Sequence, residues 1–242
     1  MKPILNTPAH RLIPALGLSL ALGALAQNAH AEALQYGIQV EQLEYRSTDE
    51  ENSLVWDFDA FVGSDELKLV WRSEGERAED SGDLESLENQ LRLQMPISRF
   101  FDAVAGVYAQ TPDNRPERYA AVFGIKGLAP QWFEIDADLY VSDRSFFRFE
   151  GEYEVLLTNR LILTPSLEVN LPLQDDDAYL QAAGGATVEI GARLSYDLID
   201  RSVSPYVGIN YEKSFGGTAD LMRAAGQEDD EFSIVTGIRL MF

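Results

Sequence analysis

The chain has 242 residues, with 19 Lys and Arg against 40 Asp and Glu and a formal net charge of −21. Such a balance makes nucleic acid a poor partner, because binding it needs a basic surface to neutralise phosphates. There is no cysteine and the two histidines are His10 and His30, so beyond residue 31 the chain offers neither thiolate nor imidazole for metal ligation, nucleophilic catalysis or titration near neutral pH.

Lys2 and Arg11 precede an apolar run from Leu12 to Ala26, and the triplet Ala29-His30-Ala31 follows. This is the pattern of a secretory signal peptide, residues 1–31, with cleavage expected before Glu32. The run of ~15 residues falls short of the ~20 that a spanning helix needs, and no later stretch comes closer. The expected mature chain, 32–242, keeps 17 basic against 40 acidic residues, a net charge of −23.

The remainder is written in segments of roughly ten residues that alternate apolar and polar, the pattern of transmembrane β-barrel strands. The first, about 36–46, slips in its alternation between Val40 and Leu43; the clear strands start near 54. In 54–62, Leu54, Trp56, Phe58, Ala60 and Val62 point one way and Asp57 and Asp59 the other. In 66–74, Leu67, Leu69 and Trp71 alternate with Glu66, Lys68, Arg72 and Glu74. Strands over 87–95, 100–110 and 118–127 follow. The clearest pair sets Glu134, Asp136 and Asp138 inside 133–141 and Arg148, Glu150, Glu152 and Glu154 inside 147–155. The last four are 161–170, 187–198, 204–214 and 231–242, ending on Phe242.

Twelve strands are thus predicted in one domain. Short turns near residues 63–65, 96–99, 129–131, 157–159 and 199–202 alternate with longer connections, of which 75–83, 172–185 and 216–230 read as the three longest. Bacterial barrels keep short turns on the periplasmic side and long loops outside, so both termini face the periplasm and closure leaves no open edge. Trp132, Phe133, Tyr119 and Phe242 sit near the proposed strand ends and suit interfacial girdles. A soluble lipocalin-like barrel is the rival fold. It would bury its apolar face inside about eight strands.

Several blocks carry a more specific likeness. Trp56-Asp57 with Gly63, Asp65 and Lys68-Leu69; Gly127-Leu128-Ala129-Pro130-Gln131-Trp132-Phe133-Glu134; Leu156-Leu157-Thr158-Asn159-Arg160; and Ser204-Pro205-Tyr206-Val207-Gly208 resemble the copper resistance protein B family of Gram-negative outer membranes. The resemblance runs from about Leu43 to Phe242. It implies an outer-membrane protein of copper homeostasis, with copper as the bound ion and a periplasmic multicopper oxidase as a partner. It also implies a Met- and His-rich segment ahead of the barrel, and here that segment is missing: Glu32 to Asn52 contain no Met, His or Cys.

What the residues themselves offer a metal is carboxylate. Copper(I) prefers thiolate and thioether and copper(II) prefers imidazole with some carboxylate, while Met95, Met222 and Met241 lie in three separate segments. Inward positions on strands two to twelve carry 16 acidic and seven basic side chains, a wall that attracts cations and repels anions. The densest patch, Glu134, Asp136, Asp138, Glu150, Glu152 and Glu154 on one hairpin, is the predicted metal-binding surface. Its bland counterpart is structural lining, with the basic residues forming cross-strand pairs. Acidic runs at 174–177 and 228–231 read as solvated loop tips or as sites for divalent ions that bridge lipopolysaccharide. Catalysis by a Ser/His or Asp/His mechanism cannot be assembled without histidine. The expected function is copper binding or passage through an acidic barrel, with a general cation-selective pore or scaffold as the alternative.

Overall fold

The computed structural model describes residues 34–48, 51–130, 133–199 and 201–242. The expected signal peptide and Trp132 lie outside the described residues. Residues 34–242 form one compact unit of twelve antiparallel strands. These are β1 (Gln35–Ser47), β2 (Ser53–Gly63), β3 (Lys68–Ala78), β4 (Leu84–Pro96), β5 (Phe101–Gln110) and β6 (Arg118–Ala129). After them come β7 (Phe133–Val141), β8 (Phe146–Tyr153, continued by Val155–Leu156), β9 (Leu161–Pro172), β10 (Ala186–Tyr196), β11 (Val203–Phe215) and β12 (Asp230–Met241).

Each strand pairs with its chain neighbours, and β12 returns to β1 with Met241 opposite Gln39 and Ile234 opposite Ser47. That last pairing closes the sheet. Phe242 finishes the seam: its N–H donates to the Ile38 carbonyl at 2.9 Å, and its carbonyl accepts from the Ile38 N–H at 3.0 Å. The interruption of β8 at Glu154 lies beside a proline. The β8–β9 register, in which Glu152 faces Ser166 and Val155 faces Leu163, sets Tyr153 opposite Pro165, which has no N–H to give.

The two faces are opposite to those of a soluble protein. On β4, Gln90, Arg92 and Gln94 are 2, 1 and 8% exposed, while Leu91, Leu93 and Met95 between them are 48, 46 and 53% exposed. The same reversal recurs around the wall, with Val107, Phe123, Ile125, Ile190, Val207, Ile209 and Ile234 all on the outside. An apolar outside and a charged inside is the solution for a barrel whose solvent is lipid. It rules out the lipocalin-like alternative. Among the described residues no helix is long and apolar enough to cross a membrane. Exposed Phe133, Phe100, Tyr196 and Phe242 mark the end with the short turns, and Tyr45, Tyr119 and Phe232 the other end.

The slip in β1 is a β-bulge. Val40 faces Phe58 and Gln42 faces Asp57, so Glu41 is the extra residue. Beyond it the alternation resumes with Glu44 and Arg46 facing inward. Three other expectations need correction. Glu66 is exposed in the turn before β3 and is not an inward strand position. The connection expected at 75–83 shrinks to 79–83, because β3 continues to Ala78 opposite Ser53; the loop 111–117 is longer. The connection 216–230 is not all loop, since Gly216–Ala224 forms α1. Gly216 turns at φ 61° to start it, and the run Ala219-Asp220-Leu221-Met222-Arg223-Ala224 consists largely of good helix formers. Thr218 and Ala219 are buried, and Thr218 Oγ1 accepts from the Ala182 N–H at 3.2 Å, tying α1 to the β9–β10 connection.

Removing Phe242 deletes both seam hydrogen bonds, at ~0.5–1.5 kcal/mol each. Thermal denaturation in detergent, followed by circular dichroism, is expected to show a lowered midpoint with the sheet content kept.

Candidate functional site

The lumen is crossed by arginines. Arg92 on β4 reaches β7, placing Nη1 2.9 Å from Asp136 Oδ2 and Nη2 3.2 Å from Asp136 Oδ1, with Asp138 as a further partner. Two strands lie between β4 and β7, and glycines let the side chain pass. Gly106 faces Arg92 and Gly124 faces Asp138 in register; a Cβ at Gly124 would collide with the Asp138 carboxylate. Arg72 on β3 is a hub of four acids, with Glu150 at 2.8 Å, Glu74 at 2.6 Å, Asp57 at 3.4 Å and Asp136 at 3.5 Å. Arg148 on β8 reaches Glu88 at 3.0 Å and Glu74 at 3.2 Å on the far strands, with Glu168 at 3.6 Å and Asn170 Oδ1 at 3.1 Å on the near one.

A second hub closes the other side of the wall. Glu44, 1% exposed, accepts from Arg193 Nε and Nη2 at 2.9 Å each, from Arg46 Nε at 2.8 Å and from the Tyr206 hydroxyl at 3.0 Å. Gly237 lies between Tyr206 and Glu44 in register, and a Cβ there would strike the Tyr206 ring. This hub was not singled out in the sequence because β1 loses its alternation at the bulge. The signal was present past the slip, where Gln42, Glu44 and Arg46 again occupy alternate positions.

Among the described residues three cavities form a series along the lumen, and a smaller one of about 140 Å³ lies beside them, where Lys68 and Lys126 meet Glu41, Asp59 and Glu134. A vestibule of about 810 Å³ at the short-turn end is lined by five acidic and two basic side chains among the described residues. It shares Glu41, Glu134 and Glu152 with a central chamber of about 230 Å³, where twelve acidic and five basic side chains converge. That chamber shares Glu88 and Arg148 with an outer chamber of about 300 Å³. There the balance reverses: Arg115, Arg118 and Arg148 stand against Glu88 and Glu212. Arg118 is fixed by Asp176 at 2.6 Å and lies 3.5 Å over the Tyr179 ring. Beside it Tyr140 stacks on Phe146 with centroids 4.2 Å apart and Tyr108 meets both edge-on, an aromatic patch inside the barrel.

All six predicted metal-surface residues face this lumen, but at different depths and in different company. Asp136 and Asp138 are 5 and 3% exposed and bound to arginine, and Glu150 is held by Arg72. Glu134, Glu152 and Glu154 line the vestibule, with Lys126 3.9 Å from Glu134 and Arg239 3.4 and 3.6 Å from the other two. Among the described residues no group of three or more His, Cys, Asp and Glu is arranged as a metal cage. Asp57 Oδ1 and Asp59 Oδ1 are buried without a hydrogen-bond partner. The wall is therefore both a structural ion-pair lattice and a net negative surface.

The family described as copper resistance protein B precursor (CopB) matches residues 34–242. A copper resistance protein B of Escherichia coli is 36% identical over 225 residues, covering 92% of this chain and 75% of that protein. A copper resistance protein B homolog of Pseudomonas syringae pv. tomato is 33% identical over 215 residues, covering 88% of this chain and 72% of that one. Among solved structures the fold is similar to the NanC porin, with TM-score 0.55 and 12% identity over 85% of this chain and 99% of that one. It is also similar to the KdgM porin, with TM-score 0.51 and 11% identity over 85% and 99%.

Breaking one side of a buried ion pair leaves an uncompensated charge, at a cost of about 3–5 kcal/mol. Arg92→Ala, which strands Asp138 and leaves Asp136 only its longer contacts to Arg72 and Lys126, is expected to destabilise the barrel by that order. Arg223→Ala on the exposed side of α1, where Arg223 and Asp220 are exposed and Asp229 is half-buried, is expected to cost about 1 kcal/mol or less. Equilibrium unfolding by urea in detergent measures both.

Proposed function

This chain belongs to the copper resistance protein B family, and from that premise we propose that its outer-membrane barrel supports copper tolerance by gathering copper ions on lumenal carboxylates and passing them along the lumen. The observation that carries this reading is the charge of the central chamber, twelve acids to five bases, opening through Glu41, Glu134 and Glu152 into an acidic vestibule. A low-dielectric wall lined by one sign of charge concentrates counter-ions, and carboxylate rings favour cations over anions.

The six carboxylates divide the work in this reading. Asp136, Asp138 and Glu150 are occupied by Arg92 and Arg72 and set the field. Glu134 and Glu152, with Glu41 on its bulge, meet the ion, while Glu154 is held by Arg201 at 2.9 Å. Beside them stand Lys126, 3.9 Å from Glu134, and Arg239, 3.4 Å from Glu152, longer pairs than those that hold Asp136 and Glu150. All-oxygen ligation suits copper(II) rather than copper(I), and it implies weak, exchangeable binding instead of storage. The vestibule opens at the periplasmic end, where a periplasmic multicopper oxidase is the partner that the family resemblance implies. Lipid and lipopolysaccharide surround the outside.

A second reading is a general cation-selective pore or scaffold without copper preference. The absence of a metal cage among the described residues favours it.

Copper tolerance of a deletion strain separates these readings. Wild-type protein is expected to restore growth at raised copper, and the Glu41→Gln, Glu134→Gln, Glu152→Gln triple variant to restore it only in part. If deletion leaves copper tolerance unchanged the copper reading fails; if zinc and manganese tolerance fall in parallel, the general pore is the better account.

A further inference from the structure

Arg148 stands where two chambers of opposite character meet. It lines both the central chamber and the outer one, and of all the lining residues it shares that position with Glu88 alone among the described residues. Its guanidinium runs as a chord: β8 lies four strands from β4, and the Glu88 carboxylate on β4 accepts from Arg148 Nη2 at 3.0 and 3.3 Å. Glu74 on β3 holds Nη1 at 3.2 Å, while Asn170 on β9 holds Nε at 3.1 Å. Each nitrogen of the guanidinium is therefore tied to a different strand of the wall. The rings of Tyr140 and Phe146 lie 5.6 and 5.9 Å from its central carbon and back it on the remaining side.

The two ends of the lumen treat a cation differently. From the periplasmic end it passes Glu41, Glu134 and Glu152 into the central chamber, and the residues shared by those two cavities are all acidic. From the outside it meets Arg115 and Arg118, with Glu212 beside them, before it reaches Arg148 and Glu88 at the boundary. Guanidinium groups stay protonated at any physiological pH, so this barrier does not titrate away.

We propose that Arg148 is the residue that decides passage through this barrel: it bars the lumen between the outer and central chambers, so cations exchange with the acidic chamber from the periplasmic end and cross to the outside only when the bar is released. This rests on the ion-passage reading above and adds to it the direction of access and the residue that sets it. Among the described residues the chord is anchored on its far side by Glu74 and Glu88 alone, so a cation that competes for those two carboxylates frees the guanidinium from that side and leaves it to Asn170 and Glu168 on the adjacent strand.

The test is potassium current through the purified protein in planar lipid bilayers, which needs no copper and so is separate from the outcome of the tolerance assay. Wild type is expected to pass little current, and Arg148→Gln to raise conductance several-fold with a shift of reversal potential toward cation selectivity. Arg201→Gln, which makes the same charge change in the vestibule, is expected to leave conductance near wild type. Should Arg148→Gln fail to insert, Glu74→Gln with Glu88→Gln removes the anchors and keeps the arginine, and is expected to raise conductance as well. Conductance of Arg148→Gln, or of the anchor variant in its place, equal to that of wild type would overturn the proposal. So would an equal rise in Arg201→Gln, because charge alone would then account for it.

Discussion

Everything inside this barrel depends on buried guanidiniums that reach across the lumen to carboxylates on distant strands. Twelve strands enclose more space than apolar side chains of one wall can fill, and the apolar residues are already committed to lipid. Long, always-charged side chains solve the filling problem only if acids wait at the other end and nothing blocks the way between. The sequence supplies both. Arg92 passes over Gly106 and Gly124 to reach Asp136, and Tyr206 passes Gly237 to reach Glu44. Loss of a single member leaves a charge without its partner in a place where water is scarce, which is why the net is either complete or costly.

The same net produces the functional character of the lumen. Each arginine neutralises part of the acid it holds, but acids outnumber bases in the vestibule and the central chamber, so a negative surface survives the pairing. Near the outer loops Arg115 and Arg118 join Arg148 and tip the balance the other way. On the proposed ion-passage reading a cation finds one open approach and one guarded approach, with the change of sign at Arg148. Family membership and the chemistry of the oxygens on offer are what point to copper.

Period-two alternation carried most of the fold in the sequence, because lipid outside and charge inside enforce it residue by residue: β7 is Phe133–Val141 as expected, and most other boundaries agree within two or three residues. What failed to show did so for local reasons. A bulge at Glu41 shifted the phase of β1, so Glu44 and Arg46 went unrecognised as lumenal. The strands β3 and β4 keep pairing past Gly75 through polar residues, Glu76 opposite Ser86 and Arg77 opposite Leu84, which alternation does not distinguish from a loop. The helix Gly216–Ala224 does not show in the sequence because its polar residues match those of its neighbours. For the site, the hairpin carrying Glu134 to Glu154 was legible as one acidic patch. Its division between arginine-bound and vestibule carboxylates was not, since that depends on Arg72 and Arg92 from strands more than forty residues away in sequence.

The proposed function requires copper on carboxylate oxygens at the periplasmic end of the lumen. Equilibrium dialysis of the purified, folded protein against copper(II), with an electron paramagnetic resonance spectrum of the retained ion, measures this. Copper is expected to be retained with an all-oxygen spectrum, and to be lost when Glu41, Glu134 and Glu152 are changed together to glutamine. A folded barrel that retains no copper, or one whose triple variant retains as much as wild type, would contradict it.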